Sequence, residues 1–423
     1  MREYLKEKPF NLSEEQIAFV EKTIENMTLD EKIGQLFLPI NFIEEEQPLR
    51  EFVRKFQPGG ALNRPAPGAL NQNRHRIMQE ESKIPMFIPA NIESGGNGTA
   101  VEGTAFGNPL QVAATGDTKY AYELGKIAGK EGRAVGINYA FAPIIDIDYN
   151  TLNPITNTRT FGNDPEVVYE MASAYIDGLM EDGKDMCYSI KHFPGDGVDN
   201  RDQHLHTTYN TLSVEEWEKT YGHNYRRLID KGATTVMVGH IGLPEYVKEI
   251  NPQATKKEIL APGSLSKEIV TGLLRERMGF NGMIITDSTS MNGFYAHMSR
   301  KLAVPTAIAN GCDMFLFNYC LEEDFEFMKK GIEDGILTME RVDEALSRII
   351  GLKVSMGLFE KQKENTLVPG EEALQVLGNE EFQKLAKECA EKSVTLVKDE
   401  EHLLPITPET HKRLIVYLSL IHI

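Results

Sequence analysis

The chain of 423 residues is long enough for one large domain and part of another, and its composition, 41% hydrophobic and 26% charged, is that of a soluble globular protein. Its 45 basic and 63 acidic residues leave a net charge of −18, which repels phosphate backbones and argues against nucleic acid as a partner. The first residues hold no apolar signal core and no stretch reaches the roughly eighteen apolar residues of a membrane span, so no membrane partner is expected and the cytoplasm is the default location.

Two helices are predicted first. Ser13 followed by Gln16, and Thr28 followed by Glu31, are capping-box patterns, each opening an apolar-periodic run. Short apolar runs then recur between helical patterns, and strands are predicted near 36–40, 60–62, 86–90, 138–143, 186–190, 235–238, 283–286 and 314–317. The second has the weakest pattern, because Gly59, Gly60 and two prolines surround it. Helical spacing follows through Leu352, then a polar stretch (360–369) reads as a linker. A helix over 380–391, a strand over 393–397 and an apolar run over 414–420 complete the chain. Two strands and one helix bury too little to stand alone, so this second unit is expected to be cut short, and 420–423 to be foreign sequence. Cys187, Cys312, Cys320 and Cys389 show no paired or metal-ligand spacing, and three of them read as reduced, buried thiols.

The densest chemical signal is Lys191-His-Phe-Pro-Gly-Asp-Gly-Val-Asp-Asn-Arg-Asp-Gln-His204, which follows the strand 186–190. Lys191 and His192 fall at the strand's C-terminal end, the active-site face of a (β/α)8 barrel. Asp202 and His204, two apart, share a side in extended chain, so the carboxylate can hold one imidazole nitrogen while the other moves a proton. The alternative is a polar surface loop.

Asp287 ends the strand 283–286, placed either to attack an anomeric carbon or to cap the next helix. Arg159 offers sugar hydroxyls a fixed fork of donors. Asp146 and Asp148 are read as carboxylates ordering that loop by pairing to Arg159. His240, beyond Met237 on the sixth strand, is either a pocket donor or a satisfied structural histidine. Asn91 and Glu93 end the third strand beside glycines that let backbone approach a ligand. No phosphate-loop pattern occurs here.

Met27-Thr-Leu-Asp-Glu-Lys-Ile-Gly-Gln35, Ala142-Pro-Ile-Ile-Asp146, Arg159 ahead of Phe161-Gly-Asn-Asp-Pro165, Lys191-His-Phe-Pro-Gly195, Asp202-x-His204 and Thr286-Asp287 ahead of Met291 stand in one order over roughly 25–355. Together they resemble glycoside hydrolase family 3, in its β-N-acetylglucosaminidase branch. The resemblance implies an α/β fold: a (β/α)8 TIM-type barrel over 1–355, a linker over 356–379 and the truncated start of an α/β sandwich domain over 380–423. It implies Asp287 as nucleophile, His204 paired with Asp202 as acid/base, and Arg159, Lys191 and His192 binding the sugar. Asn91, Glu93, Met237 and His240 are further substrate-facing candidates. The implied activity is retaining hydrolysis of terminal β-linked N-acetylhexosamine, with a small carbohydrate as partner and no metal or organic cofactor.

Three positions depart from that branch: Asn91 for an aspartate, Asp196 for a histidine and Gln203 for a serine. Two neighbouring activities stay open. A deprotonated imidazole is neutral and does not repel phosphate, which admits a glycoside phosphorylase, and a β-glucosidase shares the remaining motifs.

Overall fold

A computed structural model describes residues 2–413 and Ile415. Apart from Ile415, the predicted run 414–420 and the final residues lie outside the described residues. Both capping boxes form: Ser13 Oγ accepts from Gln16 N at 3.2 Å while Gln16 Oε1 accepts from Ser13 N at 2.9 Å, and Thr28 and Glu31 do the same. They start the helices Glu14–Glu25 and Leu29–Gln35.

All eight predicted strands are present, several as two-residue ladders. They are β1 (Phe37–Leu38), β2 (Ile40–Asn41), β3 (Leu62–Asn63), β4 (Pro89–Ala90), β5 (Tyr139–Ala140) and β6 (Cys187–Phe193). After a short β7 (Thr208–Tyr209) come β8 (Thr235–Val238), β9 (Ile241–Gly242), β10 (Met283–Thr286) and β11 (Phe315–Leu316). β1 and β2 are the two ends of the first predicted strand. Every pairing is parallel, and the fold is mixed α/β with helices between the strands.

The pairings run in a circuit. β2 lies on β3 (Ile40 opposite Leu62), a bridge joins Gly60 to Phe87, and β4, β5, β6, β8 and β10 pair in succession. A bridge from Ile285 to Met314 and the β11–β1 pair (Phe315 opposite Phe37) return to the start. β7 and β9 form a separate pair just beyond β8. The glycines that blur the second strand are steric necessities, since a Cβ on Gly60 would stand 2.6 Å from the Phe87 carbonyl oxygen.

The strands are buried on both faces, as expected for parallel sheets covered by helices. Tyr139 donates or accepts at 2.8 Å with both Ser189 Oγ and Thr235 Oγ1. The helix Met339–Ser355 buries Val342, Leu346, Ile349 and Ile350, and sends the fully buried Lys353 Nζ to Gln35 Oε1 at 2.8 Å. Among the described residues no helix is long and apolar enough to cross a membrane.

The region after residue 355 departs from the sequence reading. The predicted linker contains a helix, Leu358–Glu364, that buries Leu358 and Phe359, and a 3-10 turn, Glu371–Val376. Its backbone is tied to the preceding body: Arg76 Nη2 donates to Pro369 O at 3.1 Å, Gln72 Nε2 to Gly370 O at 3.1 Å, and Gly378 N to Glu131 Oε1 at 2.7 Å. The helix Glu380–Ser393 packs Phe382, Ala386 and Cys389 against the helices Pro109–Ala113 and Thr118–Ala134. The helix over 380–391 was expected, whereas polar composition concealed Leu358–Glu364, which buries only two side chains. The strand predicted over 393–397 does not form. Val394, Leu396 and Val397 are exposed, and no neighbouring strand among the described residues offers them a ladder. Cys187, Cys312 and Cys389 are buried, free thiols, as predicted.

Candidate active site

The chemistry-bearing residues gather at one end of the parallel strands. Asn91 and Glu93 follow β4, Asp146 and Arg159 follow β5, Lys191 and His192 end β6, Met237 lies in β8 with His240 after it, and Asp287 follows β10. Because the strands are parallel, these C-terminal ends share a rim. β6 loses register between Ile190 and Phe193, so the ladder is interrupted where Lys191 and His192 project. The Lys191–His192 and Phe193–Pro194 peptides are cis.

Glu93 collects two cations. It accepts from Arg159 Nη2 at 2.8 Å and Nε at 3.2 Å, and from Lys191 Nζ at 2.5 Å. Burial alone would raise its pKa, but the Lys191 and Arg159 charges outweigh that and hold the carboxyl well below the usual carboxylate range. Burial pulls the Lys191 ammonium down against the opposing pull of Glu93. The expected pairing of Arg159 with Asp146 and Asp148 is therefore corrected. Asp146 serves His192, accepting from ring Nδ1 at 2.7 Å and from the His192 backbone N–H at 3.1 Å, while Asp148 accepts from Thr156 Oγ1 at 2.6 Å. Positions 93, 159 and 191 lie on three separate segments of the chain, and no local spacing announces their meeting.

Asp287 does not cap a helix, since the next one begins at Asn292 with Met291 at its N-cap. Its Oδ1 accepts from the Ser288 N–H at 2.6 Å, and Oδ2 faces His192 Nε2 at 3.9 Å. Burial pushes this carboxyl up, yet His192, His240, the Ser288 N–H and Lys191 together hold it below its ordinary value. Among the described residues, Oδ2 of this carboxylate accepts no hydrogen bond.

Asp202 and His204 do meet: Asp202 Oδ1 accepts from His204 Nδ1 at 2.6 Å. The contact is not made in extended chain. Asp202 opens a turn in which Oδ1 also accepts the His204 N–H at 2.7 Å and its carbonyl accepts the N–H groups of Leu205 and His206, both at 3.0 Å. The turn brings residues two apart together where pleat alternation was expected to. The imidazole is half exposed, and among the described residues Nε2 makes no hydrogen bond.

The remaining candidates divide. Asn91 is exposed at the end of β4, and Met237 is buried within β8. His240 is fully buried with both ring nitrogens engaged, Nδ1 with Ser264 Oγ and Nε2 donating to Ser288 O, each at 2.8 Å. That arrangement is the satisfied structural histidine, one residue's backbone away from Asp287.

The glycosyl hydrolase family 3 N-terminal domain matches residues 28–352. The chain belongs to glycoside hydrolase family 3. A family 3 relative from Cellulomonas fimi, named beta-N-acetylglucosaminidase/beta-glucosidase, is 44% identical over 97% of this chain and 71% of its own length. A solved structure of a beta-glucoside phosphorylase, BglX bound to 2FGlc, is 44% identical with a TM-score of 0.92, over 96% of this chain and 72% of that one. A family 3 beta-N-acetylglucosaminidase from Paenibacillus sp. str. FPU-7 is 26% identical with a TM-score of 0.78, over 88% and 70%. Some curated relatives are matched over less than two thirds of their length, for example 62% of a Pseudoalteromonas piscicida beta-hexosaminidase A.

Proposed function

We propose that this family 3 chain is a retaining enzyme that removes terminal β-linked N-acetylglucosamine, with β-glucosides as a second substrate class, on a (β/α)8 barrel. Both sugars stand in the name of the Cellulomonas relative, and the circuit of parallel pairings supports the barrel. Residues 394 onward are proposed to lead into a second domain. The observation that carries the reading is Asp287 itself: a carboxylate kept ionised at the strand ends, one oxygen tied to Ser288 and the other open toward the centre of the site.

In the first step Asp287 Oδ2 forms a bond to the anomeric carbon as the glycosidic C–O bond breaks, and His204 Nε2 gives its proton to the departing oxygen. In the second, neutral His204 takes a proton from water, whose oxygen displaces Asp287 and releases the sugar with retained configuration. Asp202 holds Nδ1 through both steps. Arg159, Lys191 and His192 are proposed to contact the sugar, with Glu93 fixing the two cations.

A second reading has phosphate replace water in the second step, yielding a sugar 1-phosphate. It is favoured by the phosphorylase named among structures 44% identical to this chain, and by a base that is neutral when it must accept an anionic nucleophile.

Incubation with a fluorosugar that forms but does not readily release the intermediate tests the nucleophile. Peptide mapping should place the label on Asp287; a label elsewhere would refute the assignment. Products formed with and without phosphate separate the two acceptors: sugar 1-phosphate means phosphorolysis, free sugar alone hydrolysis. Preference for glucoside over N-acetylglucosaminide would reverse the order of substrates.

A further inference from the structure

Asp196 and Gln203, two of the positions that depart from the family pattern, meet beneath the loop that carries Asp202 and His204. Gln203 lies between those two residues in sequence but points away from them and is only 1% exposed. Its Nε2 donates to Asp196 Oδ2 at 3.2 Å, and its Oε1 accepts the His240 backbone N–H at 2.9 Å. Both partners are themselves held. The Asp196 N–H donates to Asp146 Oδ1 at 2.8 Å, Asp196 Oδ1 accepts from Asn153 Nδ2 at 2.9 Å and Gly197 N at 2.7 Å, and its carbonyl accepts Tyr221 OH at 2.6 Å. His240 is fixed by Ser264 and Ser288.

Space has been left for Gln203, beside its side chain by Gly239 and beside its backbone by Gly293. A Cβ on Gly239 would stand 3.1 Å from Gln203 Oε1 and 3.2 Å from His192 Cβ, and one on Gly293 would stand 2.3 Å from Gln203 O. Around this buried point the loop is open, with Leu205 58% exposed and His204 half exposed.

We propose that Gln203 is a positioning residue whose carboxamide, clamped between the Asp196 carboxylate and the His240 backbone N–H, fixes the turn at 202–204 and so sets where His204 Nε2 stands over the scissile oxygen. This rests on reading His204 as the acid/base.

The clamp has a required polarity. A carboxylate only accepts and a backbone N–H only donates, so the side chain between them must offer a donor on one side and an acceptor on the other. Gln203→Glu sets two carboxylates against each other. Asp196→Asn, with its oxygen kept toward Asn153 and Gly197, turns an NH2 toward the Gln203 NH2. Made together, the two changes restore every donor–acceptor pair at the same net charge.

The test measures kcat/KM on two β-N-acetylglucosaminides that differ in their need for an acid: dinitrophenyl, whose departing oxygen needs no proton, and methyl, whose oxygen does. A displaced acid should cost each single variant about 100-fold on the methyl substrate and under about threefold on the dinitrophenyl one. The double variant Asp196→Asn/Gln203→Glu should return to within about threefold of the parent on both. Equal losses on the two substrates, unaffected single variants, or a double variant that does not recover would each overturn the clamp. If the single variants do not fold, the double variant alone decides, by whether it has the parent's ratio between substrates. His204→Ala separates the two claims. If it loses both substrates alike, the acid/base reading fails; if it loses only the methyl substrate while Gln203→Glu does not, the clamp alone fails.

Discussion

His192 Nε2 stands 3.9 Å from Asp287 Oδ2, and the opposite nitrogen of the same ring lies 2.7 Å from Asp146 Oδ2. One imidazole therefore joins the candidate nucleophile to a carboxylate rooted beyond β5. Asp146 Oδ1 also receives the N–H groups of His192 and Asp196. Asp146→Asn exchanges a charged acceptor for a neutral one at the base of this chain. A charge-assisted hydrogen bond is worth roughly 1.5–3 kcal/mol, so kcat/KM should fall about 10–100-fold. Steady-state kinetics on an aryl glycoside check this, and unchanged kinetics would remove His192 orientation from the mechanism.

Glu93 is the counterion of two cations, and its stability effect has a definite sign with pH. Its folded-state pKa lies far below the ordinary 4.5, so the ion pairs contribute fully above that ordinary value and are lost as pH falls through the folded value. Glu93→Gln strands Lys191, whose side chain is 3% exposed, without a charge partner. Breaking a buried pair costs about 3 kcal/mol or more, with less from Arg159, which is more open to solvent. Urea unfolding should show the full loss at neutral pH and a smaller gap between variant and parent in strong acid. A gap that widens in acid would contradict the assignment.

The eight strands were legible because each is a short apolar run between helical patterns, and the candidate nucleophile lies immediately beyond one of them. What joins residues across the rim was not. Arg159 was expected to pair with Asp146, a neighbour in sequence, whereas Glu93, on a different strand end, supplies the carboxylate. The Asp202–His204 contact was anticipated through strand alternation and arises instead from a turn closed on the Asp202 side chain. The role of His240 stayed open in the sequence, and two hydrogen bonds to distant serines resolve it. Long-range partners leave no periodic trace in a single sequence. The helix over 380–391 was legible, but the helix Leu358–Glu364 was missed for a related reason, since its few buried positions are recognisable only against the surface they meet.

Glu131 supports a prediction about that surface. Fully buried, its Oε2 accepts the Thr104 N–H at 2.7 Å and its Oε1 accepts the Gly378 N–H at 2.7 Å. Each oxygen thus faces a backbone donor, and a glutamine must turn its NH2 toward one of them. Glu131→Gln should cost about 1–3 kcal/mol, measured as a drop in Tm. An unchanged Tm would show that Gly378 is not held in this way.

Phe382 tests where the helix Glu380–Ser393 belongs. It is 6% exposed in the contact with Pro109–Ala113. If that helix is part of the main body, Phe382→Ala should cost about 3 kcal/mol and lower the single unfolding transition by several degrees. A separate, shifted minor transition would assign the helix to another unit.

Lys191, His192 and the proposed nucleophile Asp287 are rooted at parallel strand ends, while the dyad hangs on the turn at 202–204, held by the buried Gln203 amide and by the Asn292 N–H on the His204 carbonyl at 2.9 Å. The two halves share one carboxylate, Asp146, whose Oδ1 receives the N–H groups of both His192 and Asp196. The segment from Gly195 to Asn210 is a graftable cassette: its sequence can be exchanged to retune proton delivery or admit another acceptor, provided residue 196 keeps its N–H on Asp146 and the side chains at 196 and 203 stay matched, donor to acceptor.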